Sequence, residues 1–152
     1  MCQLLTIKGH YSVSLAKIAK IYEMRNDFNR ALPYYEEILA LDRELKEQHP
    51  ENYNCLQLYK MSLRKVAEIY EMRKDFSRAL AHYEEILAIS KGFKERNPEN
   101  PNYLYDYFVS LQNVAGIYEA RSDFGRAQFY YEIALVIIKQ LKELYPDCEV
   151  VA

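Results

Sequence analysis

The sequence is poor in the residues that end regular structure or cross-link a chain. Its 152 residues include four Gly, five Pro, three Cys and no Trp. Because Gly and Pro mark most turns, their scarcity predicts few turns and long elements, which favours helices. The cysteines, Cys2, Cys55 and Cys148, form neither a CxxC pair nor an even set, and the N-terminus lacks the basic flank and apolar stretch of a secretory signal. Free thiols in a reducing compartment, the cytoplasm, are therefore expected.

An excess of one charge and long apolar runs are also absent. Twenty Lys and Arg stand against 22 Asp and Glu, a formal net charge of -2. Such a chain has no net attraction to phosphate backbones or anionic lipid surfaces. Its longest apolar run, from Ile133 to Ile138, has six residues, whereas a membrane span needs about 20. Neither a nucleic acid nor a membrane is expected as a partner.

Apolar residues are plentiful, and they recur with a fixed period. Half of the residues are hydrophobic and 28% are charged, so the chain can bury enough apolar surface to fold. The string IYEMRNDF at Ile21–Phe28 returns as IYEMRKDF at Ile69–Phe76 and as IYEARSDF at Ile117–Phe124, 48 residues apart both times. The sequence therefore predicts a single domain, residues 1–152, made of three repeats at approximately 4–51, 52–99 and 100–147.

Each repeat reads as a helix, a tight turn and a second helix. Leu63, Val66, Ala67 and Tyr70 have the spacing of an amphipathic helix. Such helices should stop near the basic residue of the repeated string, and the Asp two positions later suits the N-cap of the second helix. The second helix should end before a proline, because proline disfavours helical backbone in the residue that precedes it. The positions concerned are Arg25, Arg73 and Arg121; Asp27, Asp75 and Asp123; and Pro50, Pro98 and Pro146.

Pro33 interrupts this pattern in the first repeat only. A proline inside a helix removes one hydrogen bond and costs about 3 kcal/mol. The second helix of the first repeat is therefore predicted to be kinked or to start late.

The helix pairs resemble the tetratricopeptide repeat family. The first copy carries the family pattern at Leu15, Ile18, Ala19, Tyr22, Asp27, Phe28, Ala31 and Tyr35, and the later copies repeat it in phase. The resemblance implies an all-α fold, a right-handed α-solenoid of three helix-turn-helix repeats with six antiparallel helices. The period is 48 rather than about 34 residues, which is similar to the long repeats of the kinesin-light-chain type. The extra residues lie between Leu41 and Leu63 and between Ile89 and Leu111.

A second departure from the family concerns the turn between the paired helices. Where the family has a glycine, this chain has Asn26, Lys74 and Ser122. Lys and Ser adopt left-handed backbone only at some cost. Less regular turns are therefore expected.

The resemblance also implies a concave groove, lined by the first helix of each pair, that receives a peptide or a helix of another protein. Lysines and an arginine would form a basic strip for acidic partners, with a row of glutamates one turn away. The alternative is that these charges are solvated and paired within their own helices. The implied groove residues are Lys17, Lys20, Glu23, Met24, Arg64, Lys65, Glu68, Glu71, Met72, Gln112, Asn113 and Glu119.

Catalytic and metal-binding patterns are not found in the sequence. It has no Gly-rich phosphate loop, nucleophile elbow or His/Cys cluster at ligand spacing, and His10, His49 and His82 occupy different positions of the repeat. No enzymatic activity, metal or cofactor is expected. Two functions remain: an interaction module that binds another protein in its groove, or a structural segment that stacks through its uncapped ends on copies of itself or on further repeats.

Overall fold

The computed structural model describes residues 2–147, and the side chains from Ile7 onward. Within this part of the chain no strand is present, and no helix is long and apolar enough to cross a membrane. The all-α prediction is confirmed. The thiols of Cys2 and Cys148 lie outside the described residues, whereas Cys55 is a buried free cysteine. The six helices are α1 (Cys2–Met24), α2 (Phe28–Gln48), α3 (Tyr53–Met72), α4 (Phe76–Arg96), α5 (Pro101–Ala120) and α6 (Phe124–Leu144).

The helix ends follow the signals in the sequence. α1, α3 and α5 end one residue before the arginine of the repeated string. Asp27 and Asp123 are the N-caps of α2 and α6, since their carboxylates accept from the amides of Arg30 (3.1 Å) and Arg126 (3.3 Å). α2 begins at Phe28, as α4 does at Phe76, so the predicted late start at Pro33 is wrong. The kink stays a prediction.

The three tight turns are alike, and the expectation of irregular turns is wrong. Asn26, Lys74 and Ser122 have φ values of 58, 61 and 60°, all left-handed. In each turn the amide of the following Asp donates to the carbonyl five residues before it, at 2.8 Å. The left-handed residue itself donates to the carbonyl three residues before it, at 2.9 Å. This is a Schellman motif, and its hydrogen bonds hold Lys and Ser in a conformation that glycine adopts more readily.

The chain divides into two compact units, one up to Asp75 with α1, α2 and α3, and one from Phe76 with α4, α5 and α6. In the first unit α2 packs against both α1 and α3, and in the second α5 packs against both α4 and α6. The division into one domain of three repeats stays a prediction. Buried side chains in the first unit include Leu15, Ala31, Leu39, Leu63 and Val66, and those in the second include Leu104, Leu111, Ala134, Ile137 and Leu141.

Aromatic positions of the repeat differ in burial from copy to copy. Tyr59 and Tyr107 lie in the core, whereas Tyr11, 48 residues before Tyr59, is exposed. The repeat has an aromatic residue at the positions of Phe124 and Tyr131 in every copy, which predicts that both lie in the core, and this prediction is wrong because both are exposed. The first and last helices therefore each carry aromatic side chains that their neighbouring helix does not cover.

Candidate functional site

The first unit contains a groove between α1 and α3 with α2 as its floor, which we call the α1–α3 groove. Its volume is about 560 Å³, within the range of roughly 300–1,000 Å³ typical of binding pockets. Polar groups at its edges include Lys8, Asp42, Gln48 and Lys65. Its apolar lining consists of Val13, Ala16, Ile38, Leu41, Leu45, Leu58 and Met61.

The long period of the repeat supplies much of this lining. Leu45, Leu58 and Met61 belong to the extra residues between Leu41 and Leu63, and Leu41 borders them. That stretch forms the end of α2 and the start of α3, so the groove lies away from the turn at Asn26. The Met61 side chain is 67% exposed, and Val13 and Leu58 are also exposed. Exposed apolar side chains gathered in one groove are typical of a contact surface.

One carboxylate beside the groove is held by two other helices. Lys65 Nζ on α3 lies 2.8 Å from Glu23 Oε1 on α1, and the Tyr35 hydroxyl on α2 donates to Glu23 Oε2 at 2.7 Å. Burial raises the pKa of Glu23, but the hydrogen bonds from Lys65 and Tyr35 and the nearby positive charges outweigh it, so the pKa is below its ordinary value. Burial and the bond to Glu23 raise the pKa of Tyr35. The carboxylate is therefore charged and the phenol neutral at neutral pH.

A second carboxyl group, that of Asp42, has a pKa above its ordinary value, whereas the pKa of Glu23 is below its own. Asp42 on α2 lines the groove and accepts a hydrogen bond from the Ser62 hydroxyl on α3. Burial raises the pKa of Asp42 more than this bond lowers it. A carboxylate beside the groove is thus stabilised by a cation, whereas burial disfavours the charge of the carboxylate in its lining.

Four of the implied groove residues form a single charged cluster. Lys20 Nζ lies 3.9 Å from Glu23, and Lys65 Nζ lies 3.9 Å from Glu68 as well as 2.8 Å from Glu23. Of the four, Lys65 lines the α1–α3 groove. The cluster therefore contains ion pairs within α1 and within α3 as well as one ion pair between the two helices.

The other implied residues do not line this groove. Lys17, Met24, Arg64, Glu71 and Met72 lie on α1 and α3 outside its lining. Three more belong to α5 of the second unit, namely Gln112, Asn113 and Glu119.

Reasoning from the sequence missed most of the apolar lining. Ile38, Leu41 and Leu45 have the spacing of one face of α2, and the helical periodicity predicts that Ile38 and Leu45 are buried. They are half-buried and line the groove. Val13 and Met61 occupy the same position of the repeat, 48 residues apart. The third copy has Val109 there, and an apolar residue at that position in all three copies, outside the buried stripe, is the signal that could have found them.

Metal ligands are not gathered anywhere in the part of the chain from residue 7 to 147. No group of three or more His, Cys, Asp or Glu side chains there could hold a metal ion.

Comparisons with known proteins agree with the arrangement of the helices. Residues 14–48, which cover most of α1, the turn and α2, match the tetratricopeptide repeat. The crystal structure of the TPR domain of Arabidopsis FLU is similar, with a TM-score of 0.64 and 18% sequence identity over 88% of this chain and 98% of that chain. No curated protein matches the sequence. The likeness to kinesin-light-chain repeats stays a prediction, and the fold of this chain is that of a tetratricopeptide repeat domain.

Proposed function

We propose that this chain is a non-enzymatic interaction module that holds an apolar segment of another protein in the α1–α3 groove. Domains of this fold are in general protein-interaction modules. The observation that carries the proposal is the apolar lining, from which Val13, Leu58 and Met61 project as exposed side chains. The cytoplasmic location expected from the unpaired cysteines belongs to the same proposal.

The lining favours an amphipathic helix or extended segment with aliphatic anchors. Burying one Leu- or Ile-sized side chain contributes roughly 1.5–3 kcal/mol, and association costs at least about 4 kcal/mol. Three or four such anchors therefore support weak binding, and four at the upper value are needed for a dissociation constant of about 1 µM. The positive charge of Lys65 is balanced by Glu23 at 2.8 Å, so the charged cluster serves as a polar rim rather than the main source of affinity.

Selection from a displayed library of segments, tiled across the proteome of the source organism, tests the proposal. The selected segments should share aliphatic residues at helical or alternating spacing and bind the purified chain in a titration. Met61→Asp places a charge in the groove and should weaken their binding about tenfold or more. Met72→Asp is the matched control, because Met72 is an exposed methionine on the same helix outside the lining.

Charge reversal separates the apolar groove from the basic strip that the family resemblance implies. Lys20→Glu with Arg64→Glu alters that strip without touching the groove lining. If this pair abolishes binding while Met61→Asp has no effect, the charged face of α1 and α3 binds the partner and the assignment to the α1–α3 groove is wrong. Equal loss with Met61→Asp and Met72→Asp would also contradict it.

A further inference from the structure

The outer face of α1 is apolar and uncovered. Ile18 and Ile21 are exposed, although the residues 48 positions later, Val66 and Ile69 on α3, are buried. The contrast is largest at Ile21, which is 51% exposed, whereas Ile69 is 1% exposed. In the first unit α3 packs against α2, while α1 has α2 on one side only. Among the residues that the structure describes, the α1 face therefore has the apolar pattern of α3 but no helix packed against it.

The outer face of α6 likewise exposes side chains whose equivalents on α2 are buried. Leu135 is 50% exposed, whereas Leu39, its equivalent on α2, is 5% exposed under the α2–α3 contact. Tyr131 is exposed in the same way, although its equivalent Tyr35 is buried. These side chains line an open groove of about 450 Å³ on the second unit, together with Glu119, Phe124 and Glu132. We call it the α6 groove.

A polar triad that is complete in the first unit is incomplete at the α6 groove. In the first unit Glu23 accepts from Tyr35 at 2.7 Å and from Lys65 at 2.8 Å, with Lys65 on the helix that packs against α2. In the second unit Glu119 accepts from Tyr131 at 2.8 Å in the equivalent place. The lysine of the triad would have to come from a helix lying in the α6 groove.

The matching lysine is present on α1. Lys17 is exposed and lies 48 positions before Lys65, at the same place in the repeat. A helix with the sequence of α1, lying on α6 as α3 lies on α2, would bring Lys17 to Glu119. Its Ile18 and Ile21 would at the same time cover Tyr131 and Leu135.

Two further kinds of contact, each found between α2 and α3 and again between α4 and α5, point to the same register. Tyr70 donates to Glu36, and Tyr118 donates to Glu84 at 3.3 Å, so the third member of the series would be Tyr22 with Glu132. Lys46 Nζ lies 4.7 Å from the ring centroid of Tyr59, and Lys94 Nζ lies 5.7 Å from that of Tyr107. The third member of that series would be Lys142 with Tyr11. Tyr11 and Tyr22 lie on α1, and Glu132 and Lys142 lie on α6.

We propose that α1 of one copy docks in the α6 groove of a second copy, with Lys17 beside Glu119 and Tyr22 beside Glu132. The contact repeats the packing of α3 on α2 and of α5 on α4. Because its two faces differ, it is heterologous, and each copy has one face of each kind to offer. A single helix face is smaller than a standard protein interface, so we expect a dissociation constant on the order of 10–100 µM.

Sedimentation analysis of the full chain from micromolar to millimolar concentration tests the proposal. The unmodified chain should associate as its concentration rises. Ile21→Glu on the α1 face and Leu135→Glu on the α6 face should each weaken association about tenfold or more. Met72→Glu is the control for adding a charge at an exposed apolar site, and Met61→Asp in the α1–α3 groove should also leave association unchanged.

Mixing the two face variants gives the decisive result. The Ile21→Glu chain keeps its α6 groove and the Leu135→Glu chain keeps its α1 face, so the mixture should form a 1:1 dimer at concentrations where each chain alone is monomeric. Lys17→Glu should weaken this dimer, and Lys17→Gln should weaken it less. A chain that stays monomeric at millimolar concentration would overturn the proposal. So would undiminished association of either variant alone, or a mixture that stays monomeric.

Discussion

Lys65 Nζ on α3 lies 2.8 Å from Glu23 Oε1 on α1, although α2 separates these residues in the sequence. Tyr35 on α2 donates to the second oxygen of the same carboxylate. All three helices of the first unit therefore meet at Glu23. Hydrogen bonds that involve a charged group contribute more than neutral ones, and both Glu23 and Lys65 are half-buried. The Glu23 carboxylate therefore joins α1 to α3 through Lys65 and α1 to α2 through Tyr35.

Glu23→Gln should destabilise the first unit by about 1 kcal/mol, because it weakens the bond from Lys65 and removes a charge pair. The pKa of Glu23 is lowered in the folded state. Its contribution is therefore full above the unfolded pKa, about 4.3, and is lost as the pH falls through the folded pKa. Urea unfolding at neutral and acid pH should show the variant's deficit at neutral pH and a smaller one in acid. Glu68→Gln, which leaves both donors of Glu23 in place, should cost less.

Asp42→Asn should stabilise the first unit at neutral pH, in contrast to Glu23→Gln. Burial raises the pKa of Asp42 in the folded state, so the cost of its charge is present at neutral pH and disappears as the pH falls towards the unfolded pKa. The amide oxygen of Asn can still accept from Ser62. We expect the variant to be more stable than the parent at neutral pH and no more stable in acid, measured by the same unfolding experiment. A loss of stability at neutral pH would show that Asp42 has a favourable charge partner.

Lys74→Gly should stabilise the chain by about 1 kcal/mol, because φ at this position is 61° and left-handed backbone costs a side-chain-bearing residue roughly 1–2 kcal/mol. Thermal unfolding measures the change. Lys91→Gly is the matched control, since Lys91 lies inside α4, where glycine should destabilise by about 1 kcal/mol. Two changes of the same sign would contradict the explanation from backbone conformation.

Pro33→Ala should stabilise α2 by about 1–3 kcal/mol, since proline removes a helical hydrogen bond and crowds the preceding turn. Pro33 lies inside α2, which has the same bounds within the repeat as α4 and α6. The reciprocal change, Ala81→Pro at the same position of α4, should cost about 3 kcal/mol or more. Chemical denaturation of both variants checks the pair, and a destabilising Pro33→Ala would mean that the ring makes a packing contact that outweighs the lost hydrogen bond.

The helix bounds could be predicted because they depend on neighbours in the sequence. Asp27 caps α2 by accepting from an amide three residues away, and Pro50 and Pro98 follow the ends of α2 and α4. The N-caps Asn52 and Asn100 belong to the same class of local signal, each accepting from an amide two or three residues later. The regular turns at Lys74 and Ser122 could not be predicted from residue preferences, because the two hydrogen bonds of each turn outweigh the backbone cost.

The site was harder to predict than the fold, because the period fixes which position a residue occupies but not what lies against it. Ile21 and Ile69 occupy one position of the repeat, yet one is exposed and the other buried. Lys17 and Lys65 likewise share a position, and Lys65 pairs with Glu23 whereas Lys17 lies on the outer side of α1. Periodicity alone assigns both members of such a pair the same role.

The residues that build the α1–α3 groove and those that stop and start the helices are different sets. The turn at Asn26, the cap at Asp27 and the proline at Pro50 determine where α1 and α2 end or begin, and none of them lines the groove. Leu41, Leu45, Leu58 and Met61 line it without forming any turn or cap. Under the proposed function, substitutions at these four positions would change which segment is bound while the folding signals stay intact. The proposal thus implies that natural variation or redesign of this lining would alter the bound segment and leave the helix ends unchanged.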